Sequence, residues 1–232
     1  MHLFAGIGGG LLCDLILGHT PIVAVEWEPY ACKVLRERAT EGWFPGLHVW
    51  EGDVRLFDPS EYTGIVDCIH AGFPCQDISV AGKQAGVSEG TRSGLYREVL
   101  RIAGVVRPKQ LFLENVSAIL SNGLGTVLGD LAALGYDTRW LCIRASDVGA
   151  NHQRDRWFLL ANADSAQPQG NWSAIAAQQE HGSARGFGWW ELEPQLDRVA
   201  HGIPNRVGQL KGYGNAQVPL QAAAAYRLLG GV

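Results

Sequence analysis

The chain has 232 residues, 47% of them hydrophobic, and a formal net charge of −4. That is enough for one substantial core with a small appended lobe, and short for two full domains. No run of about 20 apolar residues suggests a membrane span, so no membrane partner is expected. Cysteines at 13, 32, 68, 75 and 142 are too few and scattered for a disulfide scaffold, and their spacing matches no zinc site. A reducing, cytoplasmic setting is expected, with no metal, since MHLFAGIGGG carries no basic leader. Residues 1–116 carry 10 Lys/Arg against 14 Asp/Glu, and residues 117–232 carry 9 of each. The second part, with Arg139, Arg144, Arg154, Arg156, Arg185, Arg198, Arg206 and Lys211, is either a locally basic face for phosphates or an ordinary solvated surface.

Candidate strands are His2–Phe4, Ile22–Glu26, His48–Gly52, Val66–Ala71, Leu111–Glu114, Thr138–Ile143 and Trp157–Leu160. Helical patterns fall between them, around 10–17, 29–39, 93–106 and 118–134. This alternation predicts an α/β, Rossmann-like fold: a mostly parallel sheet with helices on both faces. The strands are continuous apolar runs, as buried parallel strands should be. Residues 163–190, rich in Gly, Ser, Ala, Gln and Trp, break the pattern and read as a loop-rich insertion or very small lobe. A final helix is expected from Pro219, stopped by Gly230–Gly231. The predicted division is 1–161, a catalytic and cofactor-binding domain; 162–200, a reduced recognition region; and 201–232, a segment completing the first.

Four places carry chemistry. Phe4-Ala5-Gly6-Ile7-Gly8-Gly9-Gly10 follows a strand and opens a helix, where glycines let the backbone approach a ligand. The spacing is not the dinucleotide fingerprint, and no phosphate-loop lysine follows. Glu26-Trp27 and Asp53 end the next two strands on the same side of a doubly wound sheet. Glu26 can accept from ribose hydroxyls, Asp53 from an adenine amino group, and Trp27 offers the adenine a flat face. Acids are tolerable where the cofactor has no phosphate, which favours S-adenosylmethionine over NAD(P). The plainer alternative is a set of turn and surface residues. Gly72-Phe73-Pro74-Cys75-Gln76 places a cysteine after proline at a strand end, in a segment too polar for core, which suits an exposed nucleophilic sulfur. Ser79 in the same loop can assist binding. Glu114-Asn115-Val116 ends another strand; an acid there can hold a proton beside a reacting ring if its pKa is raised. Arg154 and Arg156, at alternate positions, point the same way in an extended segment and suit bidentate contacts, or else form a surface cluster with Asp155.

In this order the motifs resemble those of C5-cytosine DNA methyltransferases of compact bacterial or phage type, over most of 2–161 and again from about 200 to 226. The glycine turn resembles the first cofactor motif; Glu26 and Asp53 match its ribose and adenine acids. Phe73-Pro74-Cys75-Gln76 resembles the nucleophile loop, Glu114-Asn115-Val116 the ENV element, and Arg154-Asp155-Arg156 the arginine pair. Thr91-Arg92-Ser93-Gly94-Leu95 resembles the segment opening the helix between loop and ENV. Tyr213-Gly214-Asn215-Ala216-Gln217-Val218-Pro219 resembles the GNxxxP motif that completes the cofactor pocket. The resemblance implies S-adenosylmethionine as cofactor, S-adenosylhomocysteine as product and double-stranded DNA as partner. It also implies a cytosine flipped from the duplex, with Cys75 attacking C6 and Glu114 acting at N3. Phe4, Ala5, Gly6, Ile7, Gly8, Gly9, Glu26, Trp27, Asp53, Phe73 and Asn215 would bind cofactor; Ser79, Arg92, Arg185 and Arg206 would meet DNA.

Three departures qualify it. Asn151-His152 stands where the family often has Pro-Gln, and almost nothing precedes the first strand. Only about 40 residues, 161–200, occupy the place of a sizeable recognition domain, so base-edge contacts should be few. Trp172, Trp189 and Trp190 there either contact DNA or pack the lobe. A related RNA-modifying branch and a non-catalytic DNA-binding derivative are the competing readings. A monomer is the family-like default and a homodimer stays open. The setting is restriction–modification or phage self-protection.

Overall fold

Apolar runs become strands at each of the seven expected places. The computed structural model describes residues 1–74, 95–163 and 216–231. In chain order these hold β1 (His2–Leu3), α1 (Gly9–Leu17), β2 (Val23–Glu26), α2 (Pro29–Thr40), β3 (His48–Glu51), β4 (Cys68–Gly72) and α3 (Leu95–Val106). Then come β5 (Gln110–Val116), α4 (Ile119–Asn122), α5 (Leu124–Ala133), β6 (Tyr136–Ile143), β7 (Arg156–Ala163) and α6 (Pro219–Leu228). Among the described residues no helix is long and apolar enough to cross a membrane.

The sheet order is β3-β2-β1-β4-β5-β7-β6. Strands β1 to β5 pair in parallel, whereas β7 runs antiparallel to both β5 and β6. The parallel strands need crossovers, and the helices supply them. Between β6 and β7 there is only a short connection with a 3-10 turn at Ala145–Val148, so the chain reverses instead of crossing over. One expected helix, 118–134, is two: Gly123 ends α4 and begins α5.

Period-two side-chain alternation sorts the core into layers. Leu3, Ile69, Ala71, Leu111, Leu113, Trp157 and Leu159 face α3 and α5, whose Tyr96, Val99, Ile102, Val106, Val127 and Leu131 complete that layer. Phe112, Phe158 and Leu160 point the other way, against Cys13 of α1 and Ala222, Ala223, Ala225 and Tyr226 of α6. The same face carries a polar inclusion. His2 and His70, aligned across β1 and β4, meet with their rings tilted and centroids 4.9 Å apart. His2 Nε2 meets Asp14 Oδ2 at 2.7 Å.

The polypeptide closes on itself at α1. A Cβ on Gly9 would stand 2.4 Å from the Gln217 carbonyl oxygen and 2.9 Å from its nitrogen. Only a glycine lets the segment before α6 lie on the first turn of α1. Two latches hold it: Arg154 Nη2 donates to Ala216 O at 2.7 Å, and Gln221 Nε2 donates to Ile143 O and Arg154 O at 2.8 Å each.

Gly9→Ala should therefore destabilise the protein by about 1–3 kcal/mol through overpacking. Gly104→Ala, on a helix with open space at its Cβ, should be neutral or stabilising by up to about 1 kcal/mol. Urea titration of both variants checks this, and equal effects would contradict the packing argument. A second expectation concerns acid. Burial holds the His70 imidazole down at about 3 and lowers His2 in the same direction, so His70 stays neutral in the fold while the unfolded chain takes up protons below about pH 6.5. Stability should be full above about 6.5 and fall as pH drops toward 3, by up to about 1.4 kcal/mol per pH unit from His70, with His2 adding in the same direction. His70→Leu should flatten the slope of the urea midpoint between pH 6.5 and 5; an unchanged slope would show that His70 does not contribute.

Candidate active site

The C-terminal ends of β1, β2, β4 and β5 gather the residues singled out in the sequence. After β1 the chain turns through Phe4 (φ 57°), Gly6 (φ 54°) and Gly8 (φ 99°) before entering α1. Left-handed backbone is costly for a side chain such as Phe4 and free for glycine. A Cβ on Gly6 would meet nothing within 4 Å, so this turn borders open space. Gly8 and Gly9 are buried, and Ala5 and Ile7 half-buried.

Glu26, only 8% exposed, braces this turn. Its Oε2 accepts from Gly6 N at 2.7 Å, and its Oε1 accepts from Trp27 N at 2.9 Å and Glu28 N at 2.8 Å. Three backbone donors leave roughly one of a carboxylate's four lone-pair sites for a ligand. Trp27 is 70% exposed, a large aromatic face left uncovered. Asp53 follows β3, tied to β2 where Gly52 N donates to Glu26 O at 2.9 Å. Its carboxylate accepts from Arg55 Nε and backbone nitrogen, and the Arg55 partnership holds its pKa below the usual carboxylate range. Arg55 is a partner that the sequence reading missed. An exposed aromatic face, an open glycine turn and two acids, without lysine, suit a nucleoside without phosphate, as S-adenosylmethionine requires.

Phe73, expected among the cofactor-binding residues, has its ring buried against Tyr96 with centroids 5.2 Å apart, so it anchors the start of the loop in the core. Asn115 Nδ2 donates to Phe73 O at 3.1 Å, bracing β4's exit from β5. Pro74, which precedes Cys75 in the chain, is the last described residue here. Cys75, Ser79, Arg92, Arg185, Arg206 and Asn215, with Trp172, Trp189 and Trp190, lie outside the described residues, as does most of the 162–200 region.

Glu114 is aligned with Gly72 across β4 and β5 and opposite Phe158 of β7. Arg156, two residues before Phe158, lies diagonally on the same face, and its Nε reaches Glu114 Oε1 at 3.0 Å. Burial raises the Glu114 pKa, with Arg156, Gln217 and Arg154 opposing it. Burial dominates. A buried acid of this kind is suited to holding a proton near neutrality. Arg154 adopts φ 28°, rare for a side-chain residue, and its two latches fix it there. Burial first, and Arg156 second, lower its pKa from the usual guanidinium value. Thus Arg156 meets Glu114, whereas Arg154 has a left-handed φ where an extended segment was expected and donates to Ala216 O.

Gln217 also belongs to the site and was not singled out. Its Nε2 donates to Glu114 Oε2 at 3.4 Å. Cβ atoms on Gly72 and Gly10 would approach its amide at 3.1 and 3.0 Å, so three glycines make room for one residue. The signal in the sequence was a glutamine inside an otherwise apolar GNxxxP-type segment.

Comparison with known proteins agrees with this layout. Residues 1–187 match the family described as C-5 cytosine-specific DNA methylase. The type II methyltransferase M.CviJI of Paramecium bursaria Chlorella virus IL3A is 35% identical over 97% of this chain and 58% of its own length. M.NgoMIV of Neisseria gonorrhoeae is 35% identical over 69% of this chain and 50% of its own. The chain thus spans little more than half of each. Among solved structures, the S. pombe Dnmt2 methyltransferase superposes with TM-score 0.62 at 15% identity, over 79% of this chain and 56% of that one, a likeness of fold. A putative DNA modification methyltransferase encoded within an E. coli prophage gives TM-score 0.54 at 26% identity, over 71% and 46%. The fold is the Rossmann-like one of S-adenosylmethionine-dependent methyltransferases, and the chain belongs to the C-5 cytosine-specific DNA methylase family.

Proposed function

We propose that this chain methylates C5 of cytosine in double-stranded DNA, with Cys75 as nucleophile and Glu114 as the acid at N3. The supporting observation is the buried Glu114 at the end of β5, aligned with Gly72, three residues before Cys75 in the chain. Aromatic C5 is a poor nucleophile. Cys75 as thiolate adds to C6, and the electron pair displaced from the ring gives C5 enamine character. Glu114, whose pKa burial raises, hydrogen-bonds or protonates N3 and offsets the charge developing there. S-adenosylmethionine, when bound, supplies the electrophilic methyl carbon that C5 takes up. The C5 proton then leaves to a base, the electron pair reforms the double bond, and Cys75 departs as thiolate. Arg156 fixes the Glu114 carboxyl by its Oε1, so Oε2, held only by the long contact from Gln217 Nε2, is the oxygen that turns to the base. Glu26, Trp27 and Asp53 hold the nucleoside of the cofactor. Arg185 and Arg206, with the short 162–200 region, supply DNA contacts.

The RNA reading shares all of this chemistry, and the Dnmt2 likeness, at 15% identity, concerns fold alone and does not separate the two. Labelled methyl transfer to matched duplex DNA and structured RNA, with base-resolution mapping, does. 5-Methylcytosine in DNA is expected; product confined to RNA would move the substrate to the rival. Cys75→Ala should abolish transfer while leaving cofactor affinity within about twofold, and Glu114→Gln should slow it by roughly 10²–10⁴. Turnover by the Cys75 variant would sink the assigned chemistry. Replacing residues 163–190 with a flexible linker should alter sequence preference more than cofactor affinity, read by mapping and calorimetry. A collapse of affinity would make that segment structural.

A further inference from the structure

Asp53, the expected adenine partner, stands between two backbone anchors. Before it, Gly52 N donates to Glu26 O at 2.9 Å and ties the chain to β2. After it comes one 3-10 turn, Val54–Leu56, in which Leu56 N donates to Asp53 O at 2.7 Å and Phe57 N to Val54 O at 3.2 Å. The Val54 and Phe57 side chains are buried in the core, which holds the apolar side of the turn. Two of its carbonyls are held by a side chain from another element. Arg101 of α3 donates from Nη2 to Val54 O at 3.1 Å and to Phe57 O at 3.0 Å. A terminal guanidinium nitrogen has two hydrogens, so each carbonyl takes one. Arg101 Nε is paired at 2.5 Å with Glu98 Oε2, one turn earlier on the same helix, which fixes the plane of the fork.

The pair with Glu98 would by itself satisfy an arginine on a helix surface. The reach to two carbonyls 44 and 47 residues earlier in the chain is a further commitment of the same side chain. The Asp53 carboxylate is paired with Arg55, which belongs to the turn itself and is 55% exposed, so that partner moves with the turn and cannot fix it. Helix α3 can, because Val99, Ile102, Ala103 and Val106 anchor it in the core independently of the turn. We propose that Arg101 is a positioning residue for the cofactor: from α3 it holds the 54–57 turn and thereby sets where the Asp53 carboxylate meets the adenine amino group. A lysine could reach a carbonyl but has no planar fork for Glu98 to orient. The same helix packs Tyr96 against Phe73, two residues before Cys75. One buried element therefore registers the adenine turn to the start of the nucleophile loop. This deepens the proposed function and rests on its reading of Asp53.

Arg101→Met keeps most of the stem and removes every donor. Calorimetry should show S-adenosylhomocysteine binding weakened by roughly five- to tenfold. The analogue with unsubstituted purine in place of adenine lacks the 6-amino group, and its affinity should change by less than about twofold. Equal weakening of both ligands, or of neither, overturns the proposal: the first makes Arg101 a general support of the fold, the second makes it idle. At saturating DNA the KM for S-adenosylmethionine should rise by the same factor with kcat within about twofold. Arg101→Lys should recover part of the loss, and a fall in kcat without a rise in KM counts against the proposal. If Arg101→Met does not fold, Glu98→Gln decides, since it loosens the guanidinium and leaves its donors. A smaller loss, again confined to the ligand with the amino group, is expected; a loss shared by both ligands, or none, overturns the proposal. An unaltered chain that binds both ligands alike would refute the reading of Asp53, and this proposal with it. Absent methyl transfer would count against the proposed function and leave the calorimetry to decide the role of Arg101.

Discussion

Much of the molecule depends on the backbone of residue 217 lying where a side chain on Gly9 would be. That close approach brings the beginning and end of the described chain onto one helix turn. It sets Ala216 O where Arg154 can donate to it, and Gln221 where it can hold the backbone of residues 143 and 154. The arginine segment, the acid of β5 and the glycine turn are thereby parts of one packed unit. Without the glycine, the backbone at Gln217 would have to move away from α1, and its side chain would carry that movement to the contact with the Glu114 carboxyl.

A second constraint is Glu26. Its buried carboxylate satisfies Gly6, Trp27 and Glu28 nitrogens, which the abrupt turns after β1 and β2 would otherwise leave unpaired. Loss of the carboxylate would strand those donors as well as any ligand hydroxyl, so the effects on folding and on cofactor affinity are coupled. Asp53 differs. It is exposed enough to be screened, and Arg55 shares both its oxygens, so a ligand's amino group must share or displace that guanidinium. Two acids with similar places in the sequence thus have unlike costs of engagement.

The inner strands were legible because a sheet buried on both faces demands apolar runs, as in Val23–Glu26, whereas the edge strands His48–Glu51 and Tyr136–Ile143 carry polar residues and are partly exposed. Glu114 and the arginine pair were legible because polar groups at strand ends have few structural reasons to be there. The antiparallel insertion of β7 was not, since direction depends on the connection and the 144–155 segment has no pattern that excludes a crossover. The packing of Phe73 was not legible for a different reason: a phenylalanine in a loop motif does not announce a core partner, and Tyr96 comes from a helix more than twenty residues on. The His2–Asp14–His70 inclusion needed three elements to be brought together, each looking ordinary in its own segment.

The acid at the centre illustrates how opposing terms set function. An isolated carboxyl buried as Glu114 is would be neutral at any physiological pH, and one fully paired with a guanidinium would be ionised. Neither extreme serves the proposed reaction, in which N3 of the ring gains a hydrogen bond as sulfur adds at C6 and releases it as sulfur leaves. Here desolvation outweighs Arg156, Arg154 and Gln217 without removing them. The pKa is raised, and loss of the proton leaves a carboxylate that finds Arg156 at 3.0 Å already in place. In the proposed reaction the arginine therefore contributes most once the acid has given its proton to the base, a state that forms along the reaction and not before it.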